Sequence, residues 1–180
     1  IWRRDNYKGG KLHGLFETYY KDGQLKYRGN FNNGKRDGLV ENFYKNGQLR
    51  NRKNYKNGKR DGLVENFYKN GQLRQRENFK EGIGCGLCEG FHENGQLEHR
   101  TNFEDGAMIR LWESFHENGQ LKEKGNYKDG KRNSLWETFY FISNNNPFVL
   151  QGPIKTRKNY KDGKEDGPYE EYYKNSQLER

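Results

Sequence analysis

Apolar and polar residues follow one another along this chain in a pattern that starts again every 24 residues. The stretch 38–61, GLVENFYKNGQLRNRKNYKNGKRD, recurs almost letter for letter from Gly62 onwards, and Gly-Gln-Leu falls at 23–25, 47–49, 71–73, 95–97 and 119–121. A fixed period of this length is typical of stacked supersecondary units, so the sequence predicts a repeat array. No segment shows helical periodicity, and the units are therefore predicted to consist of strands.

Two different turn signals divide each repeat into two strands. One is Asn46-Gly47 and its equivalents, a dipeptide typical of two-residue type I′ hairpins, in which both central residues have positive φ. The other is a longer polar stretch, 32–37 before Gly38, which predicts a wider connection between hairpins. One repeat is therefore predicted to be strand, tight turn, strand and wide turn.

A two-residue tight turn also predicts which residues face each other across each hairpin. It places acids opposite bases in all five hairpins, and if the wide turn pairs Phe31 with Gly38, each base also faces an acid of the next hairpin. The predicted result is a ladder of alternating charge that controls register, because a one-residue slip would move every side chain to the other face. The predicted hairpin pairs are Glu17 with Arg28, Glu41 with Arg52, Glu65 with Arg76, Glu89 with Arg100, and Glu113 with Lys124.

The same register assigns the other side chains to two faces. On the face opposite the ladder, Phe31, Tyr55 and their equivalents are predicted to lie over glycines of the neighbouring strand. The ladder face carries a second row of alternating aromatic and mostly basic residues that can stack on one another. The candidate partner-binding residues in this row are Phe43, Arg50, Phe67, Arg74, Phe91 and Phe115.

Neither face is apolar enough to require a second covering layer. The predicted fold class is therefore all-β, an elongated antiparallel β-meander of about seven 24-residue β-hairpin repeats in a single twisted and curled sheet. Its stability is predicted to be summed from contacts between neighbouring repeats. Residues 1–180 are predicted to form a single repeat domain.

One interruption breaks the period. Tyr140 and Tyr160 are 20 residues apart, whereas Tyr44 and Tyr55 are 11 apart, so nine residues are inserted within 141–153. We consider two functions for this insertion, a loop folded back over exposed aromatic side chains and a partner-binding loop. Its candidate binding residues are Phe141, Ile142, Phe148, Val149 and Leu150.

Composition changes this picture less than it first suggests. Leu, Ile, Val and Phe make up 33 of 180 residues and the net charge is +9, values that are typical of disordered chains. However, 15% of the residues are aromatic, and most of them recur at fixed places in the repeat, which favours a folded array. No apolar run approaches the roughly 20 residues that a membrane-spanning helix needs.

The motifs YxxGxxxGxxxxYYxNGQL and YKNGKxDG resemble the MORN repeat, and especially the bacterial MORN variant of YwqK-type antitoxins. The resemblance covers nearly the whole chain, and its glycine, aromatic and turn positions recur about seven times from Tyr7 to Leu178. It implies an array of β-hairpins that serves as a scaffold, a protein-binding surface or a lipid-binding module. Binding without chemistry is the function that the resemblance implies.

The residues themselves give little indication of an enzyme or of a cofactor. Nucleophile, phosphate-binding and HExxH motifs are missing from the sequence. His92, His99 and His116 share one predicted face, but the outer two would lie about 10 Å apart, too wide for zinc, so we predict no metal site. Cys85 and Cys88 form a single CxxC and replace ordinary repeat residues.

The expected partner is a protein of acidic or mixed charge, bound by an antitoxin-like or immunity-like scaffold of bacterial type. The alternatives are a peripheral module on an anionic lipid surface, which would use the basic wide-turn residues Lys35, Arg36, Lys59 and Arg60, and an exported surface interaction protein. Nucleic acid is less favoured, because the basic side chains on the ladder face are mostly opposed by glutamates. A cytoplasmic location is expected for an antitoxin, and an exported one if a signal peptide precedes Ile1.

Overall fold

The computed structural model describes residues 2–143 and 149–179, and the chain forms two compact units, residues 1–85 and 86–180. The described residues contain strands and turns and no helix, and thus no helix long and apolar enough to cross a membrane. The strands are β1 (Arg3–Arg4), β2 (Tyr7–Lys8), β3 (Lys11–Leu12), β4 (Gly14–Tyr19), β5 (Leu25–Asn32), β6 (Lys35–Phe43), β7 (Leu49–Lys56), β8 (Lys59–Phe67), β9 (Leu73–Lys80), β10 (Ile83–Phe91), β11 (Leu97–Glu104), β12 (Ala107–Phe115), β13 (Leu121–Lys128), β14 (Lys131–Phe139), β15 (Ile154–Lys161) and β16 (Lys164–Glu171).

The strands are connected as a meander. β2 pairs with β3 in a small separate hairpin, and the other fourteen strands form an antiparallel sheet in which their order follows the chain from β1 to β16. Almost every repeat contributes two strands of eight or nine residues. The predicted all-β fold of antiparallel hairpin repeats is therefore confirmed.

The loop at Asn46-Gly47 is not the predicted two-residue turn. Gly47 N donates to Tyr44 O at 3.0 Å and Tyr44 N donates to Gln48 O at 2.8 Å, so three residues form the loop, and only Gly47 has positive φ, 83°. This geometry is a type I turn followed by a G1 bulge. The Asn46 side chain accepts a hydrogen bond from Gln48 N at 3.2 Å, which helps to hold this loop.

The tight type I′ turns occur instead at the connections predicted to be wide. Asn33 and Gly34 have φ values of 49° and 81°, and Asn32 pairs directly with Lys35 across them. The predicted pairing of Phe31 with Gly38 is wrong, because Phe31 pairs with Arg36 in this hairpin. In most repeats both kinds of turn contain Asn or Asp followed by Gly, so the dipeptide alone does not distinguish them.

The charge ladder is nevertheless formed where it was predicted. A bulge at Arg50 compensates for the extra loop residue, and the bulge that contains Gly38 compensates for the short turn, so that Glu41 faces both Arg28 and Arg52. The remaining hairpin pairs also form as predicted, among them Glu65 with Arg76 and Glu89 with Arg100. Because β-bulges absorb the difference in turn length, the register of the ladder does not depend on the type of turn.

Within the ladder, the acids are buried or half-buried and the bases are more exposed. Glu17 is 5% exposed and its carboxylate accepts a hydrogen bond from Arg28 Nε at 2.9 Å. In unit 2, Glu137 lies between Lys124 and Arg157, at 3.0 and 2.9 Å. Such part-buried pairs set the register and contribute less to stability than their number suggests.

The core of unit 1 is thin and lies on the face opposite the ladder. Val40 and Val64 occupy the same place in successive repeats and are 2% and 1% exposed. At the same place, unit 2 carries Cys88 and Trp136, which are also buried. Tyr127 packs edge-on against the Trp136 ring at 5.2 Å, so unit 2 has a more aromatic core.

Phe31, Tyr55 and their equivalents were predicted to lie over glycines of the neighbouring strand, and this prediction is wrong. Gly38 pairs with Tyr55, but its φ is 92°, and an added Cβ would meet only Asn30 at 3.9 Å. Glycine is needed there for its backbone conformation. Aromatic rings cover other glycines, since carbons of the Trp136 ring occupy the place that a Cβ of Gly125 would take.

Candidate functional site

Arg50 and Arg74 were predicted to lie on the ladder face, but the three-residue loops place them on the opposite face. Arg50 is the extra residue of a bulge, because Asn42 pairs with Asn51 but Phe43 pairs with Leu49. Side chains do not alternate regularly through a bulge. The Arg50 guanidinium therefore lies on the face opposite the ladder, 5.9 Å from the centre of the Tyr44 ring. Arg74 stacks in the same way on Tyr68, at 5.7 Å.

These side chains border a cleft on the face opposite the ladder, which we call the unit 1 cleft. Its volume is about 370 Å³. Arg50 and Arg74 are exposed at its rim, and half-buried amide side chains form its floor. The lining residues are Tyr44, Arg50, Asn51, Lys53, Asn66, Phe67, Arg74 and Gln75.

Tyrosine hydroxyls hold the aromatic wall of the cleft in place. The Tyr44 hydroxyl donates to the carbonyl of Phe67, 23 residues later, at 2.8 Å. The Tyr20 hydroxyl makes the same bond to the carbonyl of Phe43 at 2.7 Å, and Lys26 lies 5.8 Å from the Tyr20 ring centre. Both of these hairpins are thus tied to the next one by a side chain that also supports a cation.

The floor of the cleft is a row of amide side chains. Asn51 pairs with Asn66 across one strand pair, and Asn66 pairs with Gln75 across the next. The row begins at Asn42, whose Nδ2 donates to Asn51 Oδ1 at 2.8 Å. Amides both donate and accept hydrogen bonds, so this floor can bind polar groups of either kind.

The unit 1 cleft has a positive electrostatic character. It is lined by three cations and no carboxylate, and among the described residues no ion pair joins Arg50 or Arg74 to an acid. Lys53 has Glu77 nearby. Burial raises the pKa of the Glu77 carboxyl although Arg60 and Lys53 act in the opposite direction. The two arginines are therefore the cations best placed to bind an external anion.

The phenylalanines of the predicted binding row lie on the ladder face, apart from Arg50 and Arg74. The cations that stack on them belong to the ladder itself, with Arg52 5.9 Å from the Phe67 ring centre and Arg100 5.9 Å from that of Phe115. Of the predicted row, Arg50, Phe67 and Arg74 line the unit 1 cleft, whereas Phe43, Phe91 and Phe115 do not. Phe43, Phe67, Phe91 and Phe115 are half-buried there, and their binding role stays a prediction.

Unit 2 has a cleft at the equivalent place in its repeats, with a volume of about 650 Å³. His116 and Lys122 correspond to Tyr44 and Arg50, three periods earlier. This cleft also contains Glu123, which pairs with Arg132 at 3.1 Å. Its charge is therefore mixed, and its wall includes Phe141 from the insertion.

The described ends of the insertion pack on the preceding hairpin. Ile142 N donates to Gln120 Oε1 at 3.0 Å, Leu121 N donates to Leu150 O at 2.8 Å, and the Phe141 ring lies 5.2 Å from that of His116. Gln120 and Leu121 are 3% and 8% exposed, whereas their equivalents in earlier repeats are more exposed. These contacts favour the folded-back loop over a free binding loop. Phe148 lies outside the described residues, and Val149 is half-buried.

The histidines serve as members of the aromatic rows. His99 stacks on Trp112 at 5.3 Å, and burial lowers its pKa. His92 Nε2 lies 3.0 Å from the Phe115 carbonyl, the place that a tyrosine hydroxyl takes in other repeats. Within residues 2–143 and 149–179, no group of three or more His, Cys, Asp or Glu side chains is placed to hold a metal ion. Cys85 and Cys88 are not joined by a disulfide.

The basic residues predicted at the wide turns, Lys35, Arg36, Lys59 and Arg60, differ in their surroundings. Arg36 and Arg60 stack on Tyr55 and Phe79, at 5.4 and 5.0 Å. Lys35 and Lys59 remain exposed. Sequence reasoning missed Lys53 and the amide row, because their role follows from the shape of the bulged hairpins and not from a motif.

Comparisons with known proteins identify the repeat. A profile of the family described as "MORN repeat variant" matches residues 12–33, 36–57, 60–81, 85–105 and 111–129, more than half of the chain. A crystal structure of a mutant of S. aureus TarM, in complex with Fondaparinux, alpha-GlcNAc-glycerol and UDP, matches 73% of this chain at 9% identity, with a TM-score of 0.32. This chain spans 21% of that one. No curated protein matches.

Proposed function

Since the chain belongs to the MORN repeat variant family, we propose that it is a non-enzymatic repeat scaffold that binds a protein partner of acidic character. The observation that carries this proposal is the unit 1 cleft, in which Arg50, Lys53 and Arg74 surround a floor of amide side chains with no carboxylate in the lining. Cations held over aromatic rings at a concave surface are well suited to bind carboxylates of another protein.

The electrostatic argument depends on where the charge is compensated. On the ladder face, each base is placed opposite glutamates, so that face carries little uncompensated positive charge. In the unit 1 cleft, the arginines retain free guanidinium donors. Arginine binds carboxylates with two parallel hydrogen bonds and keeps its charge at all relevant pH values, and complementary charge accelerates association and excludes wrong partners.

The finer role that we propose is that of an antitoxin-like or immunity-like protein of bacterial type, as in YwqK-type antitoxins. A scaffold of this kind neutralises its partner by covering an acidic surface and needs no chemistry of its own. Co-expression of the captured partner with the wild-type chain is expected to remove the partner's toxicity to cells. A captured partner that is not toxic would overturn this finer role and leave the scaffold function intact.

The scaffold function is tested by affinity capture with matched variants. The wild-type chain is immobilised and proteins are captured from a bacterial extract at 0.15 M salt, then identified by mass spectrometry. The double variant Arg50→Gln with Arg74→Gln is expected to lose the captured acidic protein, whereas Lys56→Gln with Lys80→Gln, which removes the same charge at exposed turn positions, retains it. Equal capture by both variants would contradict binding at the cleft.

A second function is favoured by the exposed lysines at the type I′ turns of unit 1. Gly58 N donates to Arg36 O and Gly82 N to Arg60 O, at 2.8 and 2.7 Å, so successive turns are hydrogen-bonded to one another. The exposed Lys35, Lys56, Lys59 and Lys80 thus lie along one edge. A row of this kind suits an anionic membrane surface, where each lysine contributes about 1 kcal/mol.

Vesicle sedimentation separates the two functions. With vesicles that contain phosphatidylserine, Lys56→Gln with Lys80→Gln is expected to lower binding, and the cleft variant is expected to leave it unchanged. Binding to the edge must also weaken with added salt, because exposed charges are screened beyond about 8 Å at 0.15 M. Vesicle binding that survives both the substitutions and the salt would exclude the edge.

A further inference from the structure

The arginines at the rim of the unit 1 cleft belong to a row of cations that recurs with the period of the repeat and begins at Lys26, outside the cleft lining. Lys26, Arg50 and Arg74 occupy the same place in three successive repeats, and each lies over a tyrosine of its own hairpin, at 5.8, 5.9 and 5.7 Å from the ring centre. Equivalent residues of successive repeats are two strands apart. With neighbouring strands about 4.8 Å apart, the cations repeat at about 10 Å.

This spacing restricts the conformation of an acidic segment that lies along the row. In an extended strand, side chains on one side recur at about 6.6 or 13 Å, which does not match. A polyproline II segment has three residues per turn and rises about 3.1 Å per residue, so every third side chain returns to one side after about 9.3 Å. An α-helix returns after seven residues, about 10.5 Å.

The floor of the cleft distinguishes these two remaining conformations. Asn51 and Asn66 present amide groups along the direction of the row. The backbone of an α-helix has already formed its hydrogen bonds, whereas that of a polyproline II segment is free to accept them. Tyr44 and Phe67 line the cleft, and aromatic grooves are a common docking surface for polyproline II segments.

We propose that the unit 1 cleft binds an acidic segment in the polyproline II conformation, with a carboxylate at every third residue. This inference rests on the proposed function and specifies the part of the partner that is bound. Each carboxylate lies against one cation of the row, and the carbonyl groups between them accept hydrogen bonds from the amide floor.

The test uses synthetic peptides and fluorescence anisotropy at 0.05 and 0.15 M salt with the full chain. The probe is a labelled peptide of five Pro-Pro-Glu units. One control has the same ten prolines and five glutamates, with the glutamates adjacent to one another. A second control is an alanine-rich helical peptide with glutamates seven residues apart. We expect the probe to bind at least tenfold more tightly than either control at 0.15 M salt.

Matched variants locate the binding site. Arg50→Gln and Arg74→Gln are each expected to weaken probe binding about tenfold, since a hydrogen bond to a charged group is lost. Lys56→Gln and Lys80→Gln are expected to change it less than twofold. All four positions are exposed, so the variants are expected to fold, and their melting curves verify this.

The outcomes separate this inference from the function on which it rests. Equal binding of the probe and the adjacent-glutamate control would overturn the inference, as would tighter binding of the helical control. If either occurs while protein capture still depends on Arg50 and Arg74, the scaffold function stands without the polyproline II segment. A probe that loses binding equally in the lysine variants would also overturn the inference.

Discussion

At Arg110 and Ser134 the backbone adopts a left-handed conformation that earlier repeats assign to glycine. Their φ values are 59° and 64°, and the equivalent Gly38, Gly62 and Gly86 have 92°, 102° and 72°. An L-residue with a side chain pays roughly 1–2 kcal/mol for this conformation. The bulge next to the type I′ turn is thus retained in unit 2 at the expense of local strain.

Replacing Ser134 by glycine is expected to stabilise the protein. The strain is relieved, and the entropic cost of glycine in the unfolded chain offsets part of the gain, so the free energy of unfolding rises by about 0.5–1 kcal/mol. Ser134 is exposed, and little packing is lost. Gly62→Ala is the reverse change and is expected to lower stability by about 1 kcal/mol. Urea unfolding measures both, and a destabilised Ser134→Gly variant would contradict the assignment.

Glu65 tests the charge ladder at a single rung. It is 8% exposed and its register places it between Arg52 and Arg76. Glu65→Gln removes the ion pairs and retains the shape, whereas Glu65→Arg places three like charges on neighbouring strands. We expect the reversal to melt several degrees lower than the neutral variant, because opposed like charges destabilise a strand pair. Equal melting temperatures would show that the ladder does not control register.

At the scale of the element, turn and bulge act together. A three-residue loop shifts the hairpin by one residue, and the bulge at Arg50 restores the pairing of Glu41 with Arg52. The same bulge turns Arg50 to the face opposite the ladder. The local element that preserves the register thereby also creates the rim of the unit 1 cleft.

The insertion is the element whose burial differs most from the repeat. Leu121→Ala is expected to cost about 2–3 kcal/mol, since Leu121 is buried beneath the insertion, and Leu49→Ala, at the half-exposed equivalent position, about 1 kcal/mol. Thermal unfolding compares the two variants. A similar loss for both would show that the insertion does not cover Leu121 in solution.

Shortening the insertion is a second test of whether it covers Gln120 and Leu121. Replacing residues 141–153 by Lys-Asn-Gly-Gln, the sequence of 45–48, exposes Gln120 and Leu121 again. The shortened chain is expected to melt lower than the wild type, and adding Leu121→Ala to it should then cost no more than Leu49→Ala does. A shortened chain that melts at the wild-type temperature but no longer captures its partner would support the binding loop instead.

At the scale of the whole molecule, stability depends on pH through buried carboxylates. The hydrogen bond from Tyr19, then that from Arg28, lowers the pKa of Glu17 below its ordinary value of about 4.5. Burial alone would raise the pKa of Glu137, but the bonds from Lys124 and Arg157 more than compensate and lower it. The folded state therefore holds these carboxylates ionised more strongly than the unfolded chain does.

The expected consequence is a loss of stability in acid. A carboxylate with a lowered folded pKa contributes stability above about pH 4.5 that is lost as the pH falls through the folded pKa. Glu17→Gln is therefore expected to destabilise the protein at pH 7 and much less at pH 3. Glu77→Gln is expected to have the opposite effect and to stabilise the protein at pH 7, because burial raises the pKa of Glu77. Melting temperatures between pH 7 and 3 measure both, and parallel pH profiles would contradict the assignment.

The repeat, the strands and the ladder were determined by the sequence alone. A 24-residue period with two turn signals leaves one way to alternate strands, and opposite charges at Glu41 and Arg52 leave one register, because any slip exposes Val40 and buries the ladder bases. These features depend on local pattern and on neighbouring strands, so they can be deduced without knowing the tertiary structure.

Only the tertiary structure decided which turn is tight, which face Arg50 and Arg74 occupy, and what the insertion covers. Asn-Gly satisfies both a type I′ turn and a G1 bulge, so the dipeptide cannot distinguish them. The folded hairpin shows the difference in its backbone hydrogen bonds, such as Gly47 N to Tyr44 O. The burial of Leu121 depends likewise on a segment that arrives about 30 residues later, and contacts of that range leave no local pattern.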